Sequence, residues 1–399
     1  MVNDNDLTEA FETFVDERLE DAGITRRTLL RRSVLAGAGL SALPALLSQV
    51  GPALAASGRV EAGTPLATLI AAAQKEGTIN TIALPPTWAN YGEIMKTFQK
   101  KYKLKLTDAI PDGTSAQENT AISSNKGSKR APDVVDVGLS FADIGKKQKL
   151  YLPYKNANWA TIPGSLKDSQ GYWVGDYWGV ISFGTNVDVA KTAPKDWADL
   201  KNPAYKNMVA LGGDPRQAGE AFAAVFAASL ANGGSLDDIT PGIQFFADLK
   251  SAGIFITTQA TSATKASGQT PIVAGWDYLQ LADRDTDKGK VNVEVTVPKT
   301  GVYGGYYCQA INKYATHPNC AKLWQEFLYS DAGQLLWLKG YTHPARFQDM
   351  SNRKVIPAAL LAKLPPAQDY KTVKFASLKQ AAAATTVLAA QWGPKVLGG

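Results

Sequence analysis

Three residues that could bind a ligand stand together at Trp276, Asp277 and Tyr278, directly after the short apolar run from Ile272 to Ala274. Aromatic faces attract ammonium groups by about 0.5 to 2 kcal/mol each, and a carboxylate neutralises their charge directly. The three residues could therefore hold an organic cation at the end of a strand. A simpler interpretation is a half-buried strand end at which Asp277 caps the following helix, a position that aspartate favours.

Segments of helix and strand type alternate from residue 64 onward. Helical patterns occur in TPLATLIAAAQKEG, YGEIMKTFQKKY, GTSAQENTAISSNKG and FADIGKKQ, and strand patterns lie between them in TINTIALPP, KLKLTDAI and APDVVDVGLS. This alternation predicts an α/β fold with a largely parallel sheet covered by helices on both faces. Ligands of such sheets bind beyond the carboxyl ends of the strands, so the loops after Leu84, Ile110 and Val137 are expected to form a site.

Those loops carry an aromatic ring and several hydroxyl groups, namely Trp88, Thr114, Ser115 and Ser140. Free backbone N–H groups at helix starts can hold an oxyanion or another polar ligand atom, and the three hydroxyl residues stand at predicted helix starts. A simpler role for Thr114 and Ser140 is to cap their own helices. The sequence alone leaves both roles open.

A second α/β section follows. The stretch GYWVGDYWGVISFGTNVDVAK predicts an aromatic-rich pair of short strands ending at Asn186, after which the chain builds helices and the strand before Trp276. KVNVEVTVP and the segment from GGYYCQAIN onward then predict a long strand and helices that return to the first section. The tail SLKQAAAATTVLAAQW is typical of a closing surface helix.

The first 56 residues have the pattern of an export signal with an acidic N-terminal extension. Four arginines, Arg26, Arg27, Arg31 and Arg32, precede an apolar stretch that closes on small residues near Ala56. A basic region, an apolar region and an A-x-A-like end are the parts of a cleaved signal, and paired arginines resemble the twin-arginine type. A membrane anchor is the alternative, but prolines and glycines interrupt the apolar run.

Composition excludes several classes of protein. The chain of 399 residues is 45% hydrophobic and 20% charged, which is typical of globular material large enough for two domains. Its formal net charge of +6 is spread over single lysines and short pairs, so we expect no nucleic-acid partner. An exported protein with only Cys308 and Cys320 could form one disulfide, although sequence cannot give the geometry that this bond requires.

Enzyme motifs are missing from the sequence. It has no G-x-S-x-G elbow, no H-E-x-x-H helix and no Walker loop, and His317 and His343 are its two histidines. We therefore expect no enzymatic activity, no cofactor and no catalytic residue. Paired carboxylates could still cleave glycosides, so a secreted hydrolase is the alternative from another class.

The order of several stretches resembles the extracytoplasmic solute-binding proteins of ABC importers, in the branch that contains ferric-ion and polyamine binders. The matching stretches are PDVVDVGLSFADIGKKQKLYLPY, WGVISFGTNVDVAK, LKNPAYKNMVALGGDP, GGSLDDITPGIQFFADLKSAG and HPNCAKLWQEFLYSDAGQLLWLKG. The resemblance implies a two-lobed periplasmic binding protein fold of type II, with two crossover hinge segments and a ligand cleft between the lobes. It places lobe 1 at residues 57–182 and 304–399, and lobe 2 at residues 183–303.

The resemblance also bears on the ligand. Ferric-ion binders carry adjacent tyrosines where this chain has Trp276, Asp277 and Tyr278, so one tyrosine is present without its partner. Tyr306 and Tyr307 form a later pair, but neighbours on a strand face opposite ways and should not chelate one ion together. We therefore expect no metal site.

An organic amine of the polyamine type is the first hypothesis for the ligand, and a sugar phosphate or phosphonate held by helix starts and Arg216 is the second, with ferric ion a further alternative. The expected ligand-binding residues are Trp88, Thr114, Ser115, Ser140, Trp276, Asp277, Tyr278 and Tyr306. The resemblance further implies a periplasmic monomer that captures a small molecule, closes on it, and delivers it to an ABC permease in the inner membrane.

Overall fold

The computed structural model describes residues 63–398 of the chain, so the predicted export signal at residues 1–56 lies outside the described residues. Strands occupy β1 (Thr78–Ile82), β2 (Lys105–Ala109), β3 (Val134–Gly138), β4 (Tyr151–Leu152), β5 (Val174–Asn186), β6 (Val209–Leu211), β7 (Ile272–Trp276), β8 (Val293–Thr296), β9 (Tyr303–Asn312), β10 (His343–Pro344) and β11 (Lys374–Phe375). Helices occupy α1 (Leu66–Glu76), α2 (Tyr91–Tyr102), α3 (Ser115–Ser124), α4 (Leu139–Lys147), α5 (Val187–Ala190), α6 (Gly219–Ala231), α7 (Thr240–Ser251), α8 (Ser262–Ala266), α9 (Asp277–Thr286), α10 (Pro318–Leu328), α11 (Asp331–Lys339), α12 (Phe347–Asn352), α13 (Ala358–Leu361) and α14 (Leu378–Trp392). The mixed α/β class is confirmed, as are the helices and strands predicted between residues 64 and 148.

The helices follow the spacing of their apolar side chains. Helix α2 buries Tyr91, Ile94, Met95, Phe98 and Tyr102, which recur every three or four residues and so form one stripe on the helix. Polar residues such as lysines occupy the opposite face, and the helix ends where Lys103 adopts a left-handed φ of 55°. Packing of this stripe against Trp324 on α10, Trp337 on α11 and Tyr177 on β5, rather than intrinsic helix propensity, stabilises the helix.

The sheet is mostly antiparallel, so the prediction of a largely parallel sheet is wrong. Strands β1 and β2 pair in parallel in a small sheet of their own. In the larger sheet β9 runs antiparallel to β3, β4 and β5, and β5 runs antiparallel to β7 and β8. The parallel rule applies to strands joined by a helical crossover, whereas β9 returns from the second section and meets the earlier strands in the opposite direction.

Strand β5 is one strand of 13 residues rather than the predicted pair of short strands. Its first half, up to Val180, pairs with β9, and its second half, from Ile181, pairs with β7 and β8. The pairing of β5 with β9 has a register shift between Gly175 and Trp178. The strand therefore passes continuously from one set of partner strands to the other.

The C-terminal helix α14 is present as predicted. Ser377 caps it, and Gln380 completes the capping box. The helix buries Ala381, Leu388 and Trp392 on one side and packs on both α4 and α7. Within residues 63–398, no helix is long and apolar enough to span a membrane.

Candidate functional site

A solvent-open cleft, here called the main cleft, lies beside the ends of β1, β2 and β3, and it contains about 940 Å³ of space, part of which is open solvent. Its lining residues are 83, 85, 87–88, 111–115, 118, 136, 212, 218–220, 259–262, 265, 273, 279–280, 283 and 307. We call the lining residues from 83 to 136 the first wall and those from 212 to 283 the second wall. The loops after Leu84 and Ile110 thus line the cleft, as the rule on strand ends predicts.

The first wall contains three of the predicted site residues. Trp88 is half-buried, and its Nε1 donates a hydrogen bond to the Tyr177 hydroxyl at 2.6 Å. Thr114 caps α3 by accepting from Gln117 N at 3.3 Å, so its simpler role is present. Ser115 is buried, and its hydroxyl accepts from the backbone N–H of Gly138 at 3.1 Å.

A buried acid pair joins the first wall to the interior: Asp136 lines the main cleft, and Asp176 lies outside the lining. Asp136 Oδ2 accepts from the hydroxyls of Tyr91 at 2.7 Å and of Tyr177 at 3.3 Å. Burial raises the pKa of Asp136, and burial together with the nearby Asp136 carboxylate raises the pKa of Asp176 well above its usual range. Through Tyr177 this pair is joined by hydrogen bonds to Trp88, so the ring in the cleft has a fixed orientation.

Glu118 and Glu220 bring two further carboxyl groups to the cleft, each from the first turn of a helix, α3 and α6 respectively. Glu118 Oε2 accepts from Asp136 N at 2.8 Å, and Glu220 Oε1 accepts from Trp276 N at 3.0 Å. Burial raises the pKa of Glu118 well above its usual range, with a further contribution from the Asp136 charge, and burial raises the pKa of Glu220 to about 7. Each group therefore holds its proton more tightly than an exposed glutamate does.

Lys265 is the basic residue of the cleft lining, counted over the described residues, and it is already paired. Its Nζ contacts Asp283 Oδ2 at 2.6 Å and also donates to Gln280 Oε1. The lysine is 1% exposed and Asp283 is 7% exposed, so water screens this pair little. The pair leaves no net charge, and the remaining carboxyl groups set the charge of the cleft.

Three other predicted residues line a separate, smaller space, here called the rear pocket. Its lining residues are 138–140, 219, 222–223, 276, 303–307, 375–376 and 381. Ser140 is buried in the first turn of α4, whose N-cap is Gly138, so Ser140 does not take the simpler of its two roles, that of capping this helix. The Tyr306 hydroxyl donates to Ser165 O at 3.0 Å, and the Trp276 ring stacks on Tyr278 with centroids 6.1 Å apart.

Asp277 and Tyr278 are absent from the lining of both spaces. Asp277 is 0% exposed; its Oδ1 accepts from Val180 N at 3.0 Å and its Oδ2 from the Tyr370 hydroxyl at 2.6 Å. Burial raises the pKa of Asp277 to about 6. The Tyr278 ring packs edge-on against Trp88, with centroids 6.1 Å apart. The structure thus brings Trp88, Thr114 and Ser115 together in the main cleft and leaves Asp277 in the protein interior.

Sequence reasoning did not select Glu118, Asp136, Glu220, Lys265 or Asp283. A signal existed for the first three, because Asp136 is a carboxylate inside an apolar strand and both glutamates fall in the first turn of a helix after a loop. Unpaired carboxylates are rarely buried without a reason. For the second wall's lysine and aspartate the local sequence carries no comparable signal.

The sequence also suggested a role for Arg216 and a possible disulfide, and it raised the question of a metal site. Arg216 is held by Asp214, with its Nη2 at 2.5 Å from Asp214 Oδ2, and does not line the main cleft. Cys308 and Cys320 are both buried and free, so they form no disulfide. Within residues 63–398, no group of three or more histidine, cysteine, aspartate or glutamate side chains could hold a metal ion.

Solved structures similar to this chain are periplasmic binding proteins. AfuA from Actinobacillus pleuropneumoniae, with fructose-6-phosphate bound, is 19% identical with a TM-score of 0.64, covering 81% of this chain and 99% of its own. Iron-bound HitA from Pseudomonas aeruginosa is 18% identical (TM-score 0.59, 79% and 99% covered). A protein described as a spermidine/putrescine ABC transporter from Listeria monocytogenes is 14% identical (TM-score 0.60, 79% and 98% covered). At these identities the similarity establishes the type II periplasmic binding protein fold and does not identify a ligand.

The chain also matches a protein family over most of its length. The family model for bacterial extracellular solute-binding proteins matches residues 129–381, which is more than half of the chain. No curated protein matches this chain. This family and the structural neighbours bind solutes and are not enzymes. The chain therefore belongs to the bacterial extracellular solute-binding protein family and is the solute-binding component of an ABC transporter, with a small-molecule ligand, an ABC permease as its partner and a periplasmic location.

Proposed function

We propose that the main cleft binds an organic amine cation of the polyamine type. The observation that carries this proposal is the excess of carboxyl groups in the cleft lining. Among the described residues, the lining has a single lysine, Lys265, and five carboxyl groups, those of Asp112, Glu118, Asp136, Glu220 and Asp283. A ligand with ammonium groups would compensate this excess, whereas an anionic ligand would add to it.

Two of these carboxyl groups have an oxygen available for a ligand. Glu118 uses Oε2 and Glu220 uses Oε1 for backbone N–H groups, and the second oxygen of each has no hydrogen-bond partner among residues 63–398. An ammonium group carries three donors and no acceptor, so it matches these free oxygens. Charge-assisted hydrogen bonds of this kind contribute about 1.5 to 3 kcal/mol each.

The proton affinity of the carboxyl groups fits a cationic ligand. Burial raises the pKa of Glu118 and of Glu220, because an ionised carboxylate is poorly solvated inside the protein. A bound ammonium replaces the missing solvation and lowers each pKa again, so ligand binding is coupled to proton release. The fixed ring of Trp88 adds a cation–π contact of about 0.5 to 2 kcal/mol.

A phosphorylated ligand finds less support in the cleft. Lys265 is bound to Asp283, and Arg216 is bound to Asp214 outside the lining. The first turns of α3 and α6, where a phosphate could bind, already carry Glu118 and Glu220. A glutamate carboxyl at such a position already interacts favourably with the helix dipole and competes with a bound anion.

The lining of the main cleft supports a ferric-ion ligand less than it supports an amine ligand. The Tyr306 hydroxyl donates to Ser165 O and lines the rear pocket, while Tyr307 lines both spaces. The adjacent tyrosines therefore do not present two free phenol groups to the main cleft. Hard cations of high charge need several oxygen ligands at once, which this pair does not supply.

In this proposal lobe 1 comprises residues 57–182 and 304–399, and lobe 2 comprises residues 183–303. The change of partners along β5 between Val180 and Ile181 supports a boundary close to residue 182. Ligand binding would then stabilise the closed arrangement of the lobes by its higher affinity for that arrangement.

A thermal-shift screen tests the proposal. The protein is stripped of bound ligand by unfolding and refolding and is then heated with putrescine, spermidine, fructose 6-phosphate or ferric citrate. A ligand at 100 times its dissociation constant stabilises the folded state by about 2.7 kcal/mol, so we expect putrescine or spermidine to raise the melting temperature by several degrees. Stabilisation by the phosphorylated compound or by ferric citrate alone would overturn the proposal.

A variant pair then assigns the binding to the cleft. Glu220→Gln removes a charge from the second wall with little change of shape, and at pH 8 it should weaken amine binding by about tenfold or more. Glu294→Gln makes the same chemical change at an exposed position, where the side chain is 53% exposed, and should leave binding unchanged. Equal affinity of both variants in calorimetric titrations would remove Glu220 from the site.

A further inference from the structure

The strand that carries Asp136 ends in a direct backbone contact with the second wall. Gly138 is the last residue of β3, and Gly219 is the first residue of α6. A Cβ on Gly138 would lie 3.2 Å from the Gly219 Cα, and a Cβ on Gly219 would lie 3.3 Å from the Gly138 Cα and from the Tyr307 hydroxyl oxygen. Contacts this close are rare for real side chains, so glycine at both positions is what lets the two segments touch.

Two hydrogen bonds hold the same region together. The backbone N–H of Ala116, in the first turn of α3, donates to Gln217 O at 3.4 Å, and Ser115 Oγ accepts from Gly138 N at 3.1 Å. The start of α3, the end of β3 and the start of α6 therefore meet at one point. Gly219 lines both the main cleft and the rear pocket, whereas Gly138 lines the rear pocket, so their contact separates the two spaces.

We propose that Gly138 and Gly219 are positioning residues for solute capture, and that their contact completes closure of the cleft. The first turns on either side of this contact carry Glu118 and Glu220, whose free oxygens are the proposed ligand contacts. When the glycines touch, both carboxyl groups reach the same ligand from opposite walls. The proposal rests on the proposed function for the nature of the ligand, but not for the contact itself.

A side chain at this contact holds the walls apart. A methyl group on either glycine requires its neighbour to move by a few tenths of an ångström, and a valine side chain requires more. Hydrogen bonds to an ammonium group weaken steeply with distance. The closed arrangement then binds the ligand less tightly, and its affinity exceeds that of the open arrangement by a smaller factor. The effect should grow with the size of the side chain and should appear in ligand affinity and in wall-to-wall distance together.

A cross-linking experiment tests the contact without any ligand. Ala116→Cys and Gln217→Cys are introduced together at the backbone hydrogen bond, and disulfide formation under mild oxidation is followed by mass spectrometry. We expect this parent pair to cross-link and Gly219→Val to slow the reaction by about tenfold or more. Gly164→Val is the matched control, because a Cβ on Gly164 has nothing within 4 Å, and it should leave the rate unchanged. No cross-link in the parent, or equal rates with Gly219→Val, would overturn the proposal.

Putrescine titration provides the second measurement. Gly219→Ala and Gly219→Val should weaken binding progressively, by up to about tenfold or more for valine, and Gly138→Ala should act in the same direction. Far-UV circular dichroism verifies that each variant is folded, and Gly138→Ala decides the outcome if a Gly219 variant does not fold. Wild-type protein that fails to bind any amine would refute the proposed function, and the cross-linking result would still decide the role of the glycines. Variants that bind as tightly as a binding-competent wild type would refute the role of the glycines alone.

Discussion

Replacement of Glu220 by glutamine should change how the stability of the protein depends on pH. Burial raises the pKa of Glu220 to about 7 from an ordinary value of 4.5. The folded protein therefore holds this proton more tightly than the unfolded chain does, and the associated stability is fully present below pH 4.5 and is lost as the pH rises from 4.5 to 7. A pKa difference of this size corresponds to about 3 kcal/mol of unfolding free energy.

The Glu220→Gln variant lacks the titrating group and keeps nearly the same shape. The unfolding free energy of the wild type minus that of the variant should therefore fall by about 3 kcal/mol between pH 4.5 and pH 8. Urea unfolding of both proteins, followed by tryptophan fluorescence at several pH values, measures this difference. Groups elsewhere that also titrate are present in both proteins, so their contributions largely cancel.

Glu294→Gln makes the same chemical change at an exposed position and is the control for this measurement. A flat or rising difference for Glu220→Gln would refute the reasoning, because it would mean that the Glu220 carboxyl group is solvated. The affinity for an amine should have the opposite pH dependence. A bound cation favours the ionised carboxylate of Glu220, so the affinity should rise between pH 6 and pH 8. Calorimetry in buffers of different ionisation enthalpy would detect the released protons.

Two further predictions concern residues outside the cleft. Tyr370→Phe removes the donor to Asp277 Oδ2, and because burial raises the pKa of Asp277 to about 6, urea unfolding should show a loss of about 2 kcal/mol at pH 8 and less at pH 5; equal losses at both pH values would contradict an ionised partner. Cys308 and Cys320 are buried and free, and burial raises the pKa of both thiols, so a thiol reagent should react with neither in the native protein and with two thiols per chain after denaturation. If no thiol reacted after denaturation, the two cysteines would instead form a disulfide.

Part of the first wall of the cleft could be predicted from the sequence, because the helices and strands that form it have a local cause. Strands and helices follow from apolar spacing over a dozen residues, and a ligand site at the ends of the strands follows from their order. Trp88, Thr114 and Ser115 were selected in this way, and all three line the main cleft. The same local reasoning identified the cap formed by Thr114.

The position of Asp277 could not be predicted, because its partners are distant in sequence. The Val180 N–H is 97 residues away and the Tyr370 hydroxyl is 93 residues away, and both donate to this carboxylate. Neither donor has a local signature, since any strand N–H or tyrosine could serve. The antiparallel direction of β9 has the same origin: it depends on where the chain returns after the second section rather than on the pattern of β9 itself.

The net charge of the chain and the local charge of the cleft predict ligands of opposite sign. The distance of each charge from the ligand determines which of them has the larger effect. The chain carries a formal charge of +6, which taken alone favours an anion. At physiological ionic strength, however, charges more than about 8 Å apart are largely screened in water, so dispersed surface lysines contribute little inside the cleft. Carboxyl groups in contact with the ligand act across low-dielectric surroundings and are screened much less. The proposal of an amine ligand therefore rests on the unpaired oxygens of Glu118 and Glu220, and the dispersed positive charge of the surface does not contradict it.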